Sequence, residues 1–303
     1  MTGMTENHQT KASRLREVLN TQTVAIPGAF NALIALQTER AGFEAVYVSG
    51  AALSACRGVP DIGLLTLADV VEEAGRIARS VVIPTIVDAD TGYGGPSNVR
   101  EAVIRFEAAG LAGMQIEDQE SAKKCGHLPG KRLIAAGDMT AKIEAAVSAR
   151  TDPDFMIIAR TDARAVEGLG GAVRRAIAYA EAGADALFPE ALESAAEFEE
   201  FARHMRDARL TLPLVANMTE YGKTPLFTCA EFAAMGYHGV LFPVTALRTA
   251  LQGIEALLAE LKLFGTQRDW LRHMMTREEL YKLLRYPEPL ESERGTIHGY
   301  GNK

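Results

Sequence analysis

Residues 109–118 read AGLAGMQIED, and this stretch contains the unit from which the fold is built. A helical pattern ends at Gly110, two residues follow, and a buried apolar run begins. A glycine suits the left-handed position that closes a helix, and an uninterrupted apolar run is typical of a parallel strand that is buried on both faces. The stretch therefore predicts an α-helix followed directly by a parallel β-strand.

The same pattern occurs three more times, at Gly42 before AVYVSG, Gly183 before ALFPEA and Gly236 before GVLFPV. Four further apolar runs lie elsewhere in the chain, namely TVAIPGAF, IPTIVDAD, DFMIIARTD and LPLVAN. Amphipathic segments of helical length, such as LADVVEEAGRIARS, separate the runs. Eight strands that alternate with helices across residues 23–264 predict an α/β fold of the (β/α)8 TIM-barrel type. A doubly wound open sheet has the same periodicity and stays the alternative.

Composition and length restrict the class of protein. Of 303 residues, 48% are hydrophobic and 23% are charged, which is typical of a globular chain with a large core. No apolar run reaches the roughly 18 residues of a membrane span, and no secretory signal precedes residue 20. We therefore expect no membrane contact and a cytoplasmic location. No linker interrupts the pattern, so we expect residues 1–303 to form a single barrel domain with polar tails.

Charge and cysteine usage exclude several partners and cofactors. The formal net charge is −7, and the 32 basic residues are scattered, so nucleic acid is not an expected partner. The odd number of cysteines, Cys56, Cys125 and Cys229, favours free thiols over a disulfide framework. The sequence has neither a CxxC motif nor histidines at i, i+4 spacing, so it offers no obvious zinc site.

Three carboxylates follow two neighbouring strands at the edge where a barrel carries its active site. Asp88 and Asp90 end one run, and Glu117 ends the next. Like charges in one place need a counter-ion, and an oxygen-only set of ligands with retained waters favours Mg²⁺, or Mn²⁺, over zinc. The alternative interpretation is a solvated turn that only caps the next helix.

Two further features of this edge suggest chemistry. Cys125 follows Lys123 and Lys124 in an aperiodic segment, and the positive charge of the lysines favours the thiolate; an incidental loop cysteine is the alternative. Residues 49–51 end another strand with small side chains, Ser49, Gly50 and Ala51, which lets backbone N–H groups approach an oxyanion.

Taken together, several segments resemble the isocitrate lyase and phosphoenolpyruvate mutase superfamily. The resemblance runs from about residue 12 to about residue 287, and its KKCGH element is specific to the lyase branch. Within that branch the chain is most similar to the lyases that cleave 2-methylisocitrate. The segments are VDADTGYG, IEDQ, KKCGH, TDPDFMIIARTDA, LFPEA, NMTEYGKTPLF and TREELY.

The resemblance implies an Mg²⁺-dependent carbon–carbon lyase of the methylcitrate cycle in propionate catabolism. Its tricarboxylate substrate, 2-methylisocitrate, would give pyruvate and succinate, and Cys125 would protonate the succinate carbanion. Asp61 would join the metal carboxylates. Arg160 and residues 49–51 would hold the pyruvate portion, and Glu190 would orient polar groups. The residues implied to bind the succinate carboxylates are Gly126, His127, Asn217, Thr219, Arg248 and Arg277.

The family fold also implies a C-terminal helix that is exchanged between paired subunits of a homotetramer, and residues 276–285 would contribute to that packing. One departure is Ala51, where the family usually has a second glycine.

Three alternatives stay open from the sequence. Isocitrate lyases proper carry a long insertion for which 303 residues leave no room. They also differ at Phe188, Leu241 and Pro243, where this chain has space for an extra substrate methyl group. A 2,3-dimethylmalate lyase would have one carboxylate fewer to bind, so Arg248 and Arg277 favour the tricarboxylate. A dicarboxylate-binding protein without activity would be expected to have lost the acid or the metal carboxylates.

Overall fold

The computed structural model describes residues 9–121, 123–124 and 130–286. In this part of the chain, one parallel strand lies within each of the eight predicted runs. The strands are β1 Val24–Pro27, β2 Val46–Val48, β3 Thr85–Asp88, β4 Gly113–Glu117, β5 Met156–Thr161, β6 Ala186–Pro189, β7 Val215–Asn217 and β8 Gly239–Phe242.

The strands close into a barrel in chain order. Strands β2 to β6 form a five-stranded sheet, and β1, β8 and β7 form a three-stranded sheet. A parallel bridge between Gly28 and Tyr47 joins β1 to β2, and another between Leu187 and Leu214 joins β6 to β7. The predicted (β/α)8 barrel is therefore confirmed, and the open sheet is excluded.

Helices surround the strands as the alternating pattern predicted. The amphipathic segment at 67–80 forms one complete helix, whereas the segment predicted from residue 171 begins earlier, at Arg164, with a break at Gly168. The helices are α1 Lys11–Thr21, α2 Ala32–Arg40, α3 Gly50–Cys56, α4 Leu67–Ser80, α5 Pro96–Ala109, α6 Ala136–Ala149, α7 Arg164–Glu181, α8 Ala195–Asp207, α9 Cys229–Ala234, α10 Thr245–Phe264 and α11 Arg277–Leu283.

The four glycines that end helices before strands adopt the conformation expected of them. Gly42, Gly110, Gly183 and Gly236 all have φ between 88° and 98°. A side chain is strained in this left-handed region, so glycine is the residue that turns the chain from helix to strand at each joint.

Two apolar layers stabilise the barrel, and alternating strand residues supply both. Ile26, Ile86 and Ile158 belong to the interior cluster, which Leu15 and Leu19 of α1 also join. Val87, Ile116 and Ile157 face the other way and pack with the surrounding helices. Since strand side chains alternate between the two faces, the side chains in the middle of each strand pack into one or the other apolar layer. Polar groups are therefore left to the strand ends.

The chain divides into two compact units, residues 1–253 and 254–303. The barrel strands belong to the first unit. The described part of the second contains the end of α10, a 3₁₀ helix over Arg268–His273, and α11. The predicted helix at 276–285 is thus present as α11, whereas its exchange between subunits stays a prediction, as does a single domain. Among the described residues, no helix combines the length and apolar content that crossing a bilayer requires.

Candidate active site

A cavity of about 100 Å³ lies at the carboxyl ends of the barrel strands. Residues from strand ends or from the loops after them line it, as the barrel architecture predicts. Nine of the residues predicted from the sequence meet there: Ser49, Ala51, Asp61, Asp88, Arg160, Glu190, Asn217, Thr219 and Arg248. The cavity is also lined by Tyr47, Lys123, Lys124, Phe188, Leu241, Pro243 and Val244.

The carboxylates after β3 form a tight turn that is joined to α3. Asp88 Oδ1 accepts a hydrogen bond from the Asp90 amide at 3.1 Å, and its Oδ2 accepts one from the Gly50 amide at 3.2 Å. Asp90 has φ of 48°, so the chain reverses sharply after the strand. The Gly50 N–H, predicted to face an oxyanion, thus links α3 to the carboxylate turn. Asp90 lines a neighbouring cavity of about 410 Å³, which Lys123 also lines.

Lys123 supplies a buried counter-charge to these acids. Its ammonium lies 2.8 Å from Asp61 Oδ1 and 2.6 Å from Asp90 Oδ1, and its side chain is 5% exposed. Burial alone would lower the pKa of Lys123, but the carboxylates of Asp88, Glu117, Asp90 and Asp61 raise it well above its usual value. Burial, followed by the charge of Asp88, raises the pKa of Asp90 to about 6. Negative charge thus exceeds what Lys123 compensates.

The donor set in this cluster fits a hydrated divalent cation. Asp61 Oδ1, Asp90 Oδ1 and Glu117 Oε2 are buried and accept no hydrogen bond of good geometry from the described residues, although cationic nitrogens lie within 3.3 Å of each. Within the same described ranges, no three His, Cys, Asp or Glu side chains are arranged to chelate an ion directly. Hard oxygen atoms with spare acceptor capacity suit Mg²⁺, which retains several of its waters.

Arg160, at the end of β5, is surrounded by acids. Its Nε and Nη2 donate to Asp162 at 2.9 and 3.1 Å, while Nη1 lies 3.3 Å from both Glu117 Oε2 and Glu190 Oε2. The guanidinium also lies over the ring of Phe188, 5.4 Å from its centroid. Burial alone would lower the pKa of Arg160, but the three carboxylates raise it well above its ordinary value. It is a permanent buried cation that lines the cavity.

A chain of polar side chains follows β6 and β7, next to Arg160. Asn217 Nδ2 lies 3.2 Å from Glu190 Oε2, and Glu190 Oε1 accepts from the Ala191 amide at 3.0 Å. Asn217 Oδ1 is buried and accepts no hydrogen bond in the described part of the chain. Further out, Arg248 Nη1 donates to the carbonyl and the carboxylate of Glu220 at 2.6 and 3.1 Å. These groups offer both donors and a cation to an anionic ligand.

Comparison with known proteins now identifies the family. The sequence profile described as phosphoenolpyruvate phosphomutase matches residues 15–262. The chain belongs to this phosphoenolpyruvate mutase family. A 2-methylisocitrate lyase of Aeropyrum pernix is 50% identical over 273 residues, which cover 90% of this chain and 86% of the relative. A 2-methylisocitrate lyase of Bacillus subtilis is 45% identical over 276 residues, with coverage of 91% and 89%.

Solved structures place the fold in the same superfamily. The crystal structure of 2,3-dimethylmalate lyase, a member of the PEP mutase/isocitrate lyase superfamily, superposes with a TM-score of 0.85 at 34% identity, and covers 97% of this chain and 99% of that one. Phosphonopyruvate hydrolase in complex with oxalate and Mg²⁺ gives a TM-score of 0.82 at 32% identity, with coverage of 96% and 99%. The resemblance seen in the sequence is thereby confirmed.

Four predicted site residues lie either outside the described residues or in the second unit. Cys125, Gly126 and His127 lie outside the described residues, so their assignments stay predictions. Arg277 begins α11 in the second unit, where Thr276 caps the helix. Its assignment to the substrate likewise stays a prediction.

Sequence reasoning missed two contributors to the cavity. Tyr47 lies within the apolar run of β2, and its hydroxyl donates to Gln115 Oε1 at 2.7 Å. Burial, then the charge of Asp88, raises its pKa well above the ordinary value. A hydroxyl in an otherwise apolar strand was the available signal. The sequence identifies Lys123 only as a basic neighbour of Cys125, whereas in the structure its ammonium contacts Asp61 and Asp90.

Proposed function

We propose that this chain is a carbon–carbon lyase that cleaves 2-methylisocitrate into pyruvate and succinate. The observation that carries the proposal is the 45–50% identity to 2-methylisocitrate lyases over about nine-tenths of the chain. The cavity supports it, because cations and amide groups that can bind a polycarboxylate line it together with carboxylates that suit a divalent cation. The 34% identity to 2,3-dimethylmalate lyase does not favour that alternative.

Mg²⁺, with Mn²⁺ as a substitute, is the proposed cofactor. Asp61, Asp88, Asp90 and Glu117 would hold it mostly through water, since no three of these acids are arranged for direct chelation in the described residues. A bound Mg²⁺ would supply positive charge to offset the negative charge that develops on the oxygen of the 2-hydroxyacid.

The chain's own residues bind the two halves of the substrate and move one proton. Arg160 pairs with the carboxylate of the pyruvate half, next to residues 49–51, and Glu190 orients Asn217. The 2-hydroxyl group loses its proton to water, and its oxygen forms the C=O bond of pyruvate as the C–C bond breaks. The electron pair of the broken C–C bond remains on the succinate carbon, and Cys125 delivers a proton to that carbon. The carboxylates of the succinate half are assigned to Gly126, His127, Asn217, Thr219, Arg248 and Arg277.

The assembly that we propose is a homotetramer of paired dimers. In the second unit, Ile254, Leu258 and Leu261 lie on one face of α10 with 40–56% of their surface exposed. An exposed apolar stripe of this kind is typical of a protein–protein interface.

The proposed location is the cytoplasm, and the free thiols Cys56 and Cys229 are compatible with a reducing compartment.

The test is an assay of 2-oxoacid release with Mg²⁺ on four substrates, namely 2-methylisocitrate, isocitrate, 2,3-dimethylmalate and oxaloacetate. We expect the highest kcat/KM on 2-methylisocitrate, with detectable isocitrate cleavage, because one methyl group in an apolar pocket changes specificity only about 10–200-fold. Preference for 2,3-dimethylmalate or oxaloacetate would refute the assignment, and binding of 2-methylisocitrate without cleavage would indicate an inactive binding protein.

A further inference from the structure

The carboxylate of Asp162 lies behind Arg160 and is shared by two cations. It accepts from Arg160 Nε and Nη2 at 2.9 and 3.1 Å, and its Oδ1 lies 2.8 Å from the ammonium of Lys131. The side chains of Asp162 and Lys131 are 0% and 1% exposed. Neither residue lines the cavity that Arg160 lines. Arg160 therefore links this pair to the cavity.

A second carboxylate, that of Asp118, holds the backbone of Asp162 in place. Asp118 Oδ1 accepts the backbone N–H of Asp162 at 2.9 Å. Its Oδ2 accepts from the hydroxyls of Thr161 and Tyr179 at 2.7 and 2.8 Å. Two of these partners are consecutive residues at the end of β5 and the third lies on α7, so the backbone that carries Asp162 has little freedom to move. The Arg160 side chain is thus oriented from a rigid base.

Lys131 is held in place by the pairing of the residues that follow it. The Glu120 amide donates to the Arg132 carbonyl at 2.9 Å, and the Ile134 amide donates to the Asp118 carbonyl at 3.0 Å. Gln119 and Leu133 form an antiparallel bridge. These contacts define a short two-stranded stem, residues 119–120 and 132–134, next to Lys131. The lysine points from this stem to Asp162.

The balance of charge explains why a second cation is needed. Arg160 contacts three carboxylates, Asp162, Glu117 and Glu190, which together outweigh its single positive charge. A guanidinium neutralised in this way attracts a ligand carboxylate weakly. Lys131 compensates Asp162, and an interaction between buried charges is screened little by water or salt. With Asp162 compensated, less negative charge opposes the positive charge of Arg160 on the cavity side.

We propose that Lys131 and Asp162 are positioning residues that keep Arg160 both oriented and effectively cationic towards the carboxylate of a 2-oxoacid. Asp162 fixes the plane of the guanidinium by holding two of its nitrogens. Lys131 keeps the negative charge of Asp162 from cancelling the positive charge of Arg160. The inference rests on the proposed function, in which Arg160 holds the pyruvate half of the substrate.

The test compares the two products as ligands. Pyruvate and succinate are each titrated calorimetrically into the Mg²⁺-loaded protein, and the Lys131→Met, Lys131→Arg and Asp162→Asn variants are compared with the wild type. Lys131→Met should weaken pyruvate about tenfold or more, as removal of a charge-assisted contact does, and should leave succinate within about twofold. Lys131→Arg should restore pyruvate affinity. In Asp162→Asn the amide group places a donor against two cations, so pyruvate should weaken as well.

Turnover of 2-methylisocitrate gives a second readout, since KM should rise more than kcat falls in Lys131→Met. Lys11→Met is the matched control, because this partly buried lysine donates to the carbonyls of Ala78 and Val81 and does not line the cavity. It should leave both product affinities unchanged.

Wild-type pyruvate affinity in both Lys131→Met and Asp162→Asn would overturn the proposal. Equal weakening of pyruvate and succinate, or no rescue by Lys131→Arg, would show a general structural role and would overturn it too. Failure of the proposed function is distinguishable, because the wild type would then fail to cleave 2-methylisocitrate whatever the variants bind.

Discussion

Gly50 lies where two carboxylates leave no room for a side chain. A Cβ atom at this position would be 2.9 Å from Asp90 Oδ1 and 3.3 Å from Asp88 Oδ2. Its φ is not in the left-handed region, so the backbone tolerates alanine and the conflict is only with the carboxylates. Gly50→Ala should therefore fold, displace the two acids, and lose about tenfold or more in kcat/KM, as misplacement by a fraction of an ångström can cause.

Gly137→Ala is the control for this substitution. Gly137 lies in α6, and a Cβ atom there would meet nothing within 4 Å. Alanine should raise the free energy of unfolding by up to about 1 kcal/mol, through helix propensity, and leave turnover unchanged. Normal turnover and Mg²⁺ affinity in Gly50→Ala would contradict the crowding argument.

Cys125 is the residue on which the proposed proton transfer depends. A general acid typically contributes about 10²–10⁴-fold, and it requires a pKa near the working pH. A serine hydroxyl is a far weaker acid than a thiol. Cys125→Ser should therefore bind Mg²⁺ and pyruvate normally but lose at least about two orders of magnitude in kcat, measured by 2-oxoacid release.

The other two cysteines serve as controls for Cys125. Burial, then Glu73, raises the pKa of Cys56, and burial raises that of Cys229, so both thiols should react slowly. Serine at either position should cost little activity. A thiol reagent should modify Cys125 first, and a bound substrate analogue should protect it. Near-normal turnover of Cys125→Ser, or inactivation that follows Cys229, would refute the role.

The candidate site was predictable where a polar residue ends a strand. Asp88, Glu117 and Arg160 interrupt apolar runs, and barrel architecture brings such ends together. Tyr47 was not predictable by this criterion, since it lies inside an apolar strand. The position of Lys123 depends on where the chain after β4 folds back, which no local pattern encodes. Asp162 and Lys131 pair although they are 31 positions apart, and no periodic pattern in the sequence predicts such a contact.

At the scale of elements, the turn after β3 brings together the carboxylates proposed for the metal. Activity should be lost on treatment with EDTA and restored by Mg²⁺ or Mn²⁺. Asp88→Asn removes the negative charge that accepts hydrogen bonds from the Asp90 amide in the turn and the Gly50 amide in α3. We therefore expect Mg²⁺ affinity, measured by calorimetry without substrate, to fall about tenfold or more. Asp207→Asn changes an exposed carboxylate on α8 and should have no effect. Full activity of a rigorously metal-free preparation would exclude the metal.

The alternation of helices and strands was predictable because it depends on local signals. A glycine closes each of four helices before a strand, and the buried strands are continuous apolar runs. Closure of the sheet was not predictable to the same degree. Two isolated bridges, Gly28 with Tyr47 and Leu187 with Leu214, decide between barrel and open sheet. Contacts between strand edges have no characteristic sequence pattern, so the structure was needed to exclude the alternative.

At the scale of the whole molecule, the exposed apolar surface suggests assembly. No residue of α10 is buried, although the helix carries leucines and an isoleucine at intervals of three and four residues. Leu263 and Phe264, at its end, are 74% and 65% exposed. Isolated apolar residues on a surface need no explanation, but a continuous helical face does.

The oligomeric state gives the last prediction. Leu258 lies at the middle of the apolar face formed with Ile254 and Leu261, and a charge there would have to be desolvated in any interface that covers the face. Leu258→Glu should therefore shift the mass measured by light scattering from tetramer towards smaller species. Gln252→Glu adds negative charge on the opposite side of the same helix, where the side chain is exposed, and should leave the mass unchanged. A wild-type mass for Leu258→Glu would show that this face of α10 is not the interface, whereas a smaller mass with unaltered strand content would show that subunits meet through this face and that the barrel is folded without the full assembly.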